Sequence, residues 1–87
     1  MIEELQSKYE HLQDVNISEL LKIGIEKHHL TEKQSVMAVR VVLGVISKNY
    51  EPTSKLERQE LQREDIKEFM QHVADQIRPD QNRIFIL

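Results

Sequence analysis

The sequence contains no cysteine, and this absence excludes three kinds of chemistry together. Without thiols the chain forms no disulfide, uses no thiolate nucleophile and holds no metal through sulfur. Glycine is almost as scarce, because only Gly24 and Gly44 are present, and each lies in an apolar context. We therefore expect no glycine-rich loop of the kind that binds phosphate groups.

Proline and aromatic residues are also rare, and this scarcity favours helices over sheets. The chain has two prolines and 5% aromatic residues, whereas sheet proteins rich in hairpins use many turn-forming and aromatic residues. Residues with good helix propensity are abundant. At 87 residues the chain has room for one hydrophobic core. We therefore predict a single all-α domain over residues 1–87.

Positive charge and long hydrophobic runs are missing as well. The formal net charge is -3, so the whole chain produces no positive field that would attract nucleic acid or anionic lipid. Its longest apolar stretch, Val36 to Ile46, is interrupted by Arg40 and is shorter than the ~20 residues that span a bilayer. The first residues are acidic and lack the pattern of a secretory signal. These observations predict a cytoplasmic protein without membrane association.

Three capping patterns indicate where helices begin. In each, an Asn, Thr or Ser is followed three residues later by Glu or Gln, which is the spacing of a capping box. The residues before them, at the start of the chain, repeat apolar side chains at helical spacing. We predict an up-and-down bundle of about four helices near residues 2–13, 17–29, 32–48 and 54–78, with a break near 62–65. The pairs are Asn16 with Glu19, Thr31 with Gln34, and Ser54 with Glu57.

The valine-rich stretch from Val36 to Ile46 is predicted to be the central and most buried helix. Its β-branched residues would also suit a buried strand, and that alternative stays open at this point. Helical spacing further places Ile25 on the inward face of the second helix and Leu56 on that of the fourth. By the same count, Ile23 and Leu61 lie off those faces.

No catalytic or metal-binding pattern is complete. Glu26 with His29 gives one Glu-x-x-His, but di-iron bundles need a second copy and further carboxylates. Glu68 and His72 stand four residues apart, a pairing that arises readily by chance in a Glu-rich helix. No serine has the context of an activated nucleophile. We therefore expect no catalytic residue, no metal and no cofactor, and we do not expect an enzyme.

The second and third helices could be interpreted as a helix-turn-helix. A recognition helix must present polar side chains to base edges, and the third helix offers chiefly valines. A dimer could still assemble a basic patch from Lys27, Lys33, Arg40 and Lys48. A nucleic-acid-binding regulator is therefore kept as the alternative function.

Two features are predicted to bind a partner. Arg40 either extends its charged end to solvent or pairs with a carboxylate of its own bundle, or, together with Gly44, it contacts a helix of another chain. The apolar C-terminal tail either covers its own core or docks on a partner. The sequence thus predicts a protein-interaction module, a small regulator, inhibitor or adaptor of unidentified partner, with a homodimer as one form of that interaction. The tail residues are Ile84, Phe85, Ile86 and Leu87.

Overall fold

Five α-helices form the protein in a computed structural model, which describes residues 2–10, 15–49 and 52–77. No strand occurs in these ranges, so the all-α prediction is confirmed. The helix count differs from the expected four because the last predicted helix is divided in two. The predicted tail, Ile84 to Leu87, lies outside the described residues. The helices are α1 (Ile2–Lys8), α2 (Ile17–Glu26), α3 (Glu32–Ser47), α4 (Lys55–Glu60) and α5 (Glu64–Ile77).

The helices begin where the capping patterns placed them. The Thr31 hydroxyl accepts a hydrogen bond from the Gln34 backbone N–H at 3.1 Å, and the Gln34 side chain accepts one from the Thr31 N–H at 3.0 Å. Ser54 and Glu57 form the same reciprocal pair before α4. The Asn16 side chain accepts from the Glu19 N–H at 3.1 Å before α2. Each cap satisfies backbone donors that a helix leaves without a partner in its first turn.

Helix α3 lies at the centre of the fold, where it packs against α2 and α5. Most of its length is buried, as predicted, and the strand alternative for Val36 to Ile46 is wrong. The core cluster also includes Leu5 and Tyr9, which confirms the apolar stripe of the first helix. The buried residues of α3 are Ser35, Val36, Met37, Ala38, Val39, Val42, Leu43 and Gly44.

A tight corner joins α2 to α3. His29 takes the left-handed conformation at φ 57°, and the Leu30 N–H then donates to the Gly24 carbonyl at 3.1 Å. Leu30 is buried, so the corner is fixed by an apolar contact as well as by this hydrogen bond. The corner positions the Thr31 cap and therefore the start of α3.

Gly24 is the point of closest approach between α2 and its neighbours. A methyl group at this position would overlap the Ser35 hydroxyl and come within 2.7 Å of the Phe69 ring. The groups that come close are side chains of α3 and α5. Gly24 is therefore needed for space, despite its lower helix propensity.

Two face assignments were wrong. Ile25 is 39% exposed, whereas Ile23 packs against the core. Leu56 is 73% exposed, whereas Leu61 is partly buried against the core. The second error arises because residues 61–63, between α4 and α5, are not helical. A helical count that runs through them does not relate Leu56 to the apolar face of α5.

Candidate functional site

An open groove lies between α3 and α4 and has a volume of about 660 Å³. It is called the α3–α4 groove below. Thr31, next to the corner before α3, and Arg63, in the break after α4, both line it. Its lining residues are Thr31, Lys33, Gln34, Val36, Met37, Arg40, Leu56, Glu57, Gln59, Glu60 and Arg63.

Three apolar side chains line this groove. Val36 and Met37 belong to α3 and are buried, so they offer a fixed apolar wall. Leu56 belongs to α4 and is 73% exposed, the largest exposure among the large hydrophobic residues of the described chain. Single exposed leucines are common, but one beside an apolar wall forms part of a larger apolar surface.

The start of α4 determines where Leu56 lies. The reciprocal hydrogen bonds between Ser54 and Glu57 fix the first turn, and Leu56 stands within that turn. Helix α4 has no buried residue, and the apolar contact at its C-terminal end is made by its cap residue Leu61, which packs against the core. Polar contacts to α3 also orient it.

The main polar contact is the ion pair between Arg40 and Glu57. Arg40 Nη2 lies 2.7 Å from Glu57 Oε2, and the two side chains are 32% and 33% exposed. The pKa of Glu57 is lowered, first by the hydrogen bond from the Ser54 backbone N–H and then by that from Arg40. Glu57 therefore caps α4 and connects it to α3 with the same carboxylate. The prediction that Arg40 pairs with a carboxylate of its own bundle is confirmed.

The second carboxylate of the groove is also engaged within the chain. Glu60 Oε2 accepts a hydrogen bond from the Gln34 amide at 3.4 Å and lies 3.7 Å from Arg63 Nη1. By contrast, Lys33 in the groove and Lys55 at the start of α4 are exposed, and neither has an ion pair among the described residues. The charge available to a ligand at this surface is therefore positive.

The predicted partner-binding residues do not form one cluster. Arg40 lines the groove, whereas Gly44 is buried elsewhere on α3. A methyl group at Gly44 would lie 3.2 Å from the Asn49 carbonyl oxygen and 3.6 Å from the Tyr9 hydroxyl, both in the same chain. The roles of Arg40, of Gly44 and of the tail residues Ile84 to Leu87 in partner binding stay predictions.

Sequence reasoning missed Leu56 as a surface residue, although a partial signal for it existed. A leucine on a core-facing helix normally has apolar residues three or four positions further on. At those positions Leu56 has Gln59 and Glu60. This local pattern gives no support to a core-facing Leu56, although by itself it does not place the side chain in solvent.

His28 and His72 are not among the residues that line the groove. The His28 ring stands 5.3 Å from the Phe69 ring and 6.0 Å from the His72 ring, measured between centroids. Within residues 2–10, 15–49 and 52–77 there is no group of three or more His, Cys, Asp or Glu side chains that could hold a metal ion. The pair of Glu26 with His29 and the pair of Glu68 with His72 are therefore not joined by a third potential ligand among these residues. The His28 contact therefore belongs to the packing of α2 on α5.

Helix α3 exposes few side chains at the position a recognition helix would use. Glu32 and Lys33 in its first turn are exposed, and buried residues occupy most of the remaining turns. Reading bases in a DNA groove requires several exposed polar residues along one face. This arrangement gives the nucleic-acid alternative little support.

Comparison with known proteins adds no assignment, since no protein-family model, curated protein or solved structure matches the chain. Among the described helices, none is long and apolar enough to cross a membrane. The function is therefore argued from the α3–α4 groove.

Proposed function

We propose that this chain is a non-enzymatic protein-interaction module, a cytoplasmic regulator, inhibitor or adaptor that docks a partner protein on the α3–α4 groove. The observation that carries the proposal is the exposure of Leu56 beside the apolar wall formed by Val36 and Met37. Apolar side chains at the centre of a polar rim are the usual anchors of protein interfaces.

The polar groups of the groove suit docking better than catalysis. Glu57 and Glu60 are both held by donors of the same chain, and no nucleophile with an adjacent base is among the lining residues. A small-molecule site usually recesses its apolar groups in a closed cavity. Here Leu56 protrudes into solvent, which favours a partner large enough to cover it.

The nucleic-acid alternative has weaker support. The net charge of -3 opposes binding to phosphates, and the face of α3 that would read bases is largely buried. Only Lys33 and Arg40 of the predicted basic patch line the groove, and Arg40 is paired with Glu57. These facts favour a protein partner over a nucleic acid.

A comparison of L56D with the unmodified chain tests the proposal. Partners captured from a lysate of the source organism are identified and then measured as purified proteins by titration calorimetry. We expect L56D to weaken binding at least about tenfold, because truncating an interface anchor costs well over 1 kcal/mol. The substitution leaves the helices intact, since Leu56 is 73% exposed.

I25D is the matched control, because Ile25 is an exposed isoleucine on α2 that does not line the groove. We expect I25D to bind the purified partner as the unmodified chain does. Equal affinity of L56D and the unmodified chain would contradict the proposal. Recovery of nucleic acid that is lost at higher salt would instead support the alternative.

A further inference from the structure

We infer that the α3–α4 groove accepts an acidic amphipathic helix of the partner, with its apolar side chains against Leu56 and Met37 and its carboxylates beside Lys33. This inference rests on the proposed function and names the chemistry of the docked segment. It is carried by two observations, the lining of the groove and the pairing of its charges, together with the short range of electrostatic interactions in cellular salt.

The lining of the groove suits the apolar face of a helix. Val36 and Met37 of α3 and Leu56 of α4 line the same open groove, and Leu56 is the most exposed of the three. A helix that docks in such a groove inserts side chains spaced three or four residues apart. The volume of about 660 Å³ has room for several apolar side chains of that kind.

The pairing of charges selects an acidic helix. Glu57 is paired with Arg40 and accepts the Ser54 N–H, so it has little capacity to attract a basic group on a ligand. Glu60 has longer contacts, 3.4 Å to the Gln34 amide and 3.7 Å to Arg63, and Arg63 also pairs with Asp65 at 3.0 Å. Lys33 lines the groove, is exposed and has no ion pair among the described residues, and the lining holds three cationic and two anionic side chains. A partner helix therefore gains more binding free energy by placing carboxylates beside Lys33 than by placing cations there.

The overall charge does not reverse this preference. The net charge of -3 would repel an acidic segment in pure water. In physiological salt, however, interactions between exposed charges are screened beyond about 8 Å. Charges that directly border the groove therefore outweigh those on the rest of the surface.

Peptide selection tests this inference even while the partner is unidentified. Peptides of about 15 residues, long enough for four helical turns, are displayed on phage and selected on the immobilised full chain. Phage clones that also bind the immobilised L56D variant are discarded. We expect the remaining peptides to carry apolar residues at helical spacing and a net negative charge.

The charge contribution is then measured on a synthetic peptide from that selection. We expect replacement of its Glu and Asp by Gln and Asn to weaken binding roughly two- to fivefold per charge lost, as measured by fluorescence anisotropy at low salt. The charge reversal K33E should weaken binding of the acidic peptide and leave binding of its neutral counterpart unchanged. I25D, which lies outside the groove, serves as the control for an unrelated surface change.

The outcomes separate this inference from the proposed function. Peptides that need Leu56 but carry no negative bias would overturn the acidic-helix inference and leave the docking groove in place. Failure to select any peptide that depends on Leu56 would overturn both. Displacement of the selected peptide by a synthetic peptide of residues 78–87 would assign the groove to the chain itself. Self-association that L56D abolishes would assign it to a second copy, and either result would overturn the inference.

Discussion

Helix α3 is held by different forces on its two sides. Toward α2 and α5 it buries apolar residues around Phe69, and the contact is close enough to require a glycine at position 24. Toward α4 it makes polar contacts, chiefly Arg40 with Glu57, and α4 buries no residue. The side of α3 that packs against α2 and α5 therefore supplies most of the stability. The side toward α4 is held by polar contacts and leaves apolar groups in contact with solvent.

This division has a physical basis. Burial of apolar area contributes about 25 cal/mol per Å², so a fully buried ring contributes several kcal/mol. An ion pair that is about one-third exposed contributes at most about 1 kcal/mol because water and salt screen it. Helix α4 can therefore detach at a lower free energy than the core helices.

Substitution of Phe69 by Ala is expected to have the largest effect on stability. Phe69 is fully buried between α2 and α3. Removal of its ring leaves a cavity where α3 packs against α2 and α5. We expect a destabilisation of about 3–5 kcal/mol, measured by urea unfolding. If the free energy of unfolding fell by less than about 1 kcal/mol, the packing of α3 against α2 and α5 would not be the main source of stability.

Substitution of Gly24 by Ala is expected to rank second. Alanine gains about 1 kcal/mol of helix propensity, but its methyl group must displace the Ser35 hydroxyl and the Phe69 ring. Overpacking of this kind costs about 1–3 kcal/mol, so we expect G24A to be less stable than the parent chain by urea unfolding. G44A is the control, since its nearest new contact is 3.2 Å away, and it should lose less. A gain in stability for G24A would contradict the tight packing.

Glu57→Gln is expected to have a smaller effect that depends on pH. Glutamine can still accept the Ser54 N–H, but it loses the charge that pairs with Arg40. At neutral pH we expect a loss of about 0.3–1 kcal/mol, reduced from the value of a buried pair because both groups are partly exposed.

The lowered pKa of Glu57 determines the sign of this pH dependence. The folded chain releases this proton more readily than the unfolded chain, so the stabilisation is complete above the unfolded-state pKa and is lost as pH falls through the folded-state value. We expect the difference between the parent chain and E57Q, measured by urea unfolding, to shrink between about pH 7 and about pH 3. A difference that stays constant over this range would refute the ion pair.

Leu56→Ala is expected to have the smallest effect on stability. Its side chain is 73% exposed, so the free energy of unfolding should change by less than about 0.5 kcal/mol. The same substitution should weaken binding of the partner protein, measured by calorimetry. A large loss of stability would mean that Leu56 holds α4 in place, and the contrast between the two sides of α3 would then fail.

The sequence predicted features that depend on a few neighbouring residues. Thr31 with Gln34 and Ser54 with Glu57 form capping boxes, because the reciprocal hydrogen bonds need only residues within one turn. The burial of the valine-rich α3 was also correctly predicted, since apolar residues cover most of its circumference.

The errors concern faces whose neighbours are distant in sequence. Leu56 and Leu61 were assigned by one continuous helical count, but α4 ends at Glu60 and α5 begins at Glu64. Ile25 was expected inward but is exposed, and Ile23 packs against the core, although the rest of that face of α2, from Ile17 to Gly24, is buried as expected at Ile17, Leu20, Leu21 and Gly24. Which side of a helix is covered depends on the packing of other helices, and local spacing does not contain that information.

The sequence by itself determined the helical class, the starts of three helices and the central place of α3, because propensity, capping and apolar periodicity act over a few residues. Only the tertiary structure decided that Arg40 meets Glu57, that Leu56 faces solvent and that a groove lies between α3 and α4. These features depend on residues that are many positions apart in the chain. They are set by how the helices pack, which depends on all of their buried surfaces together.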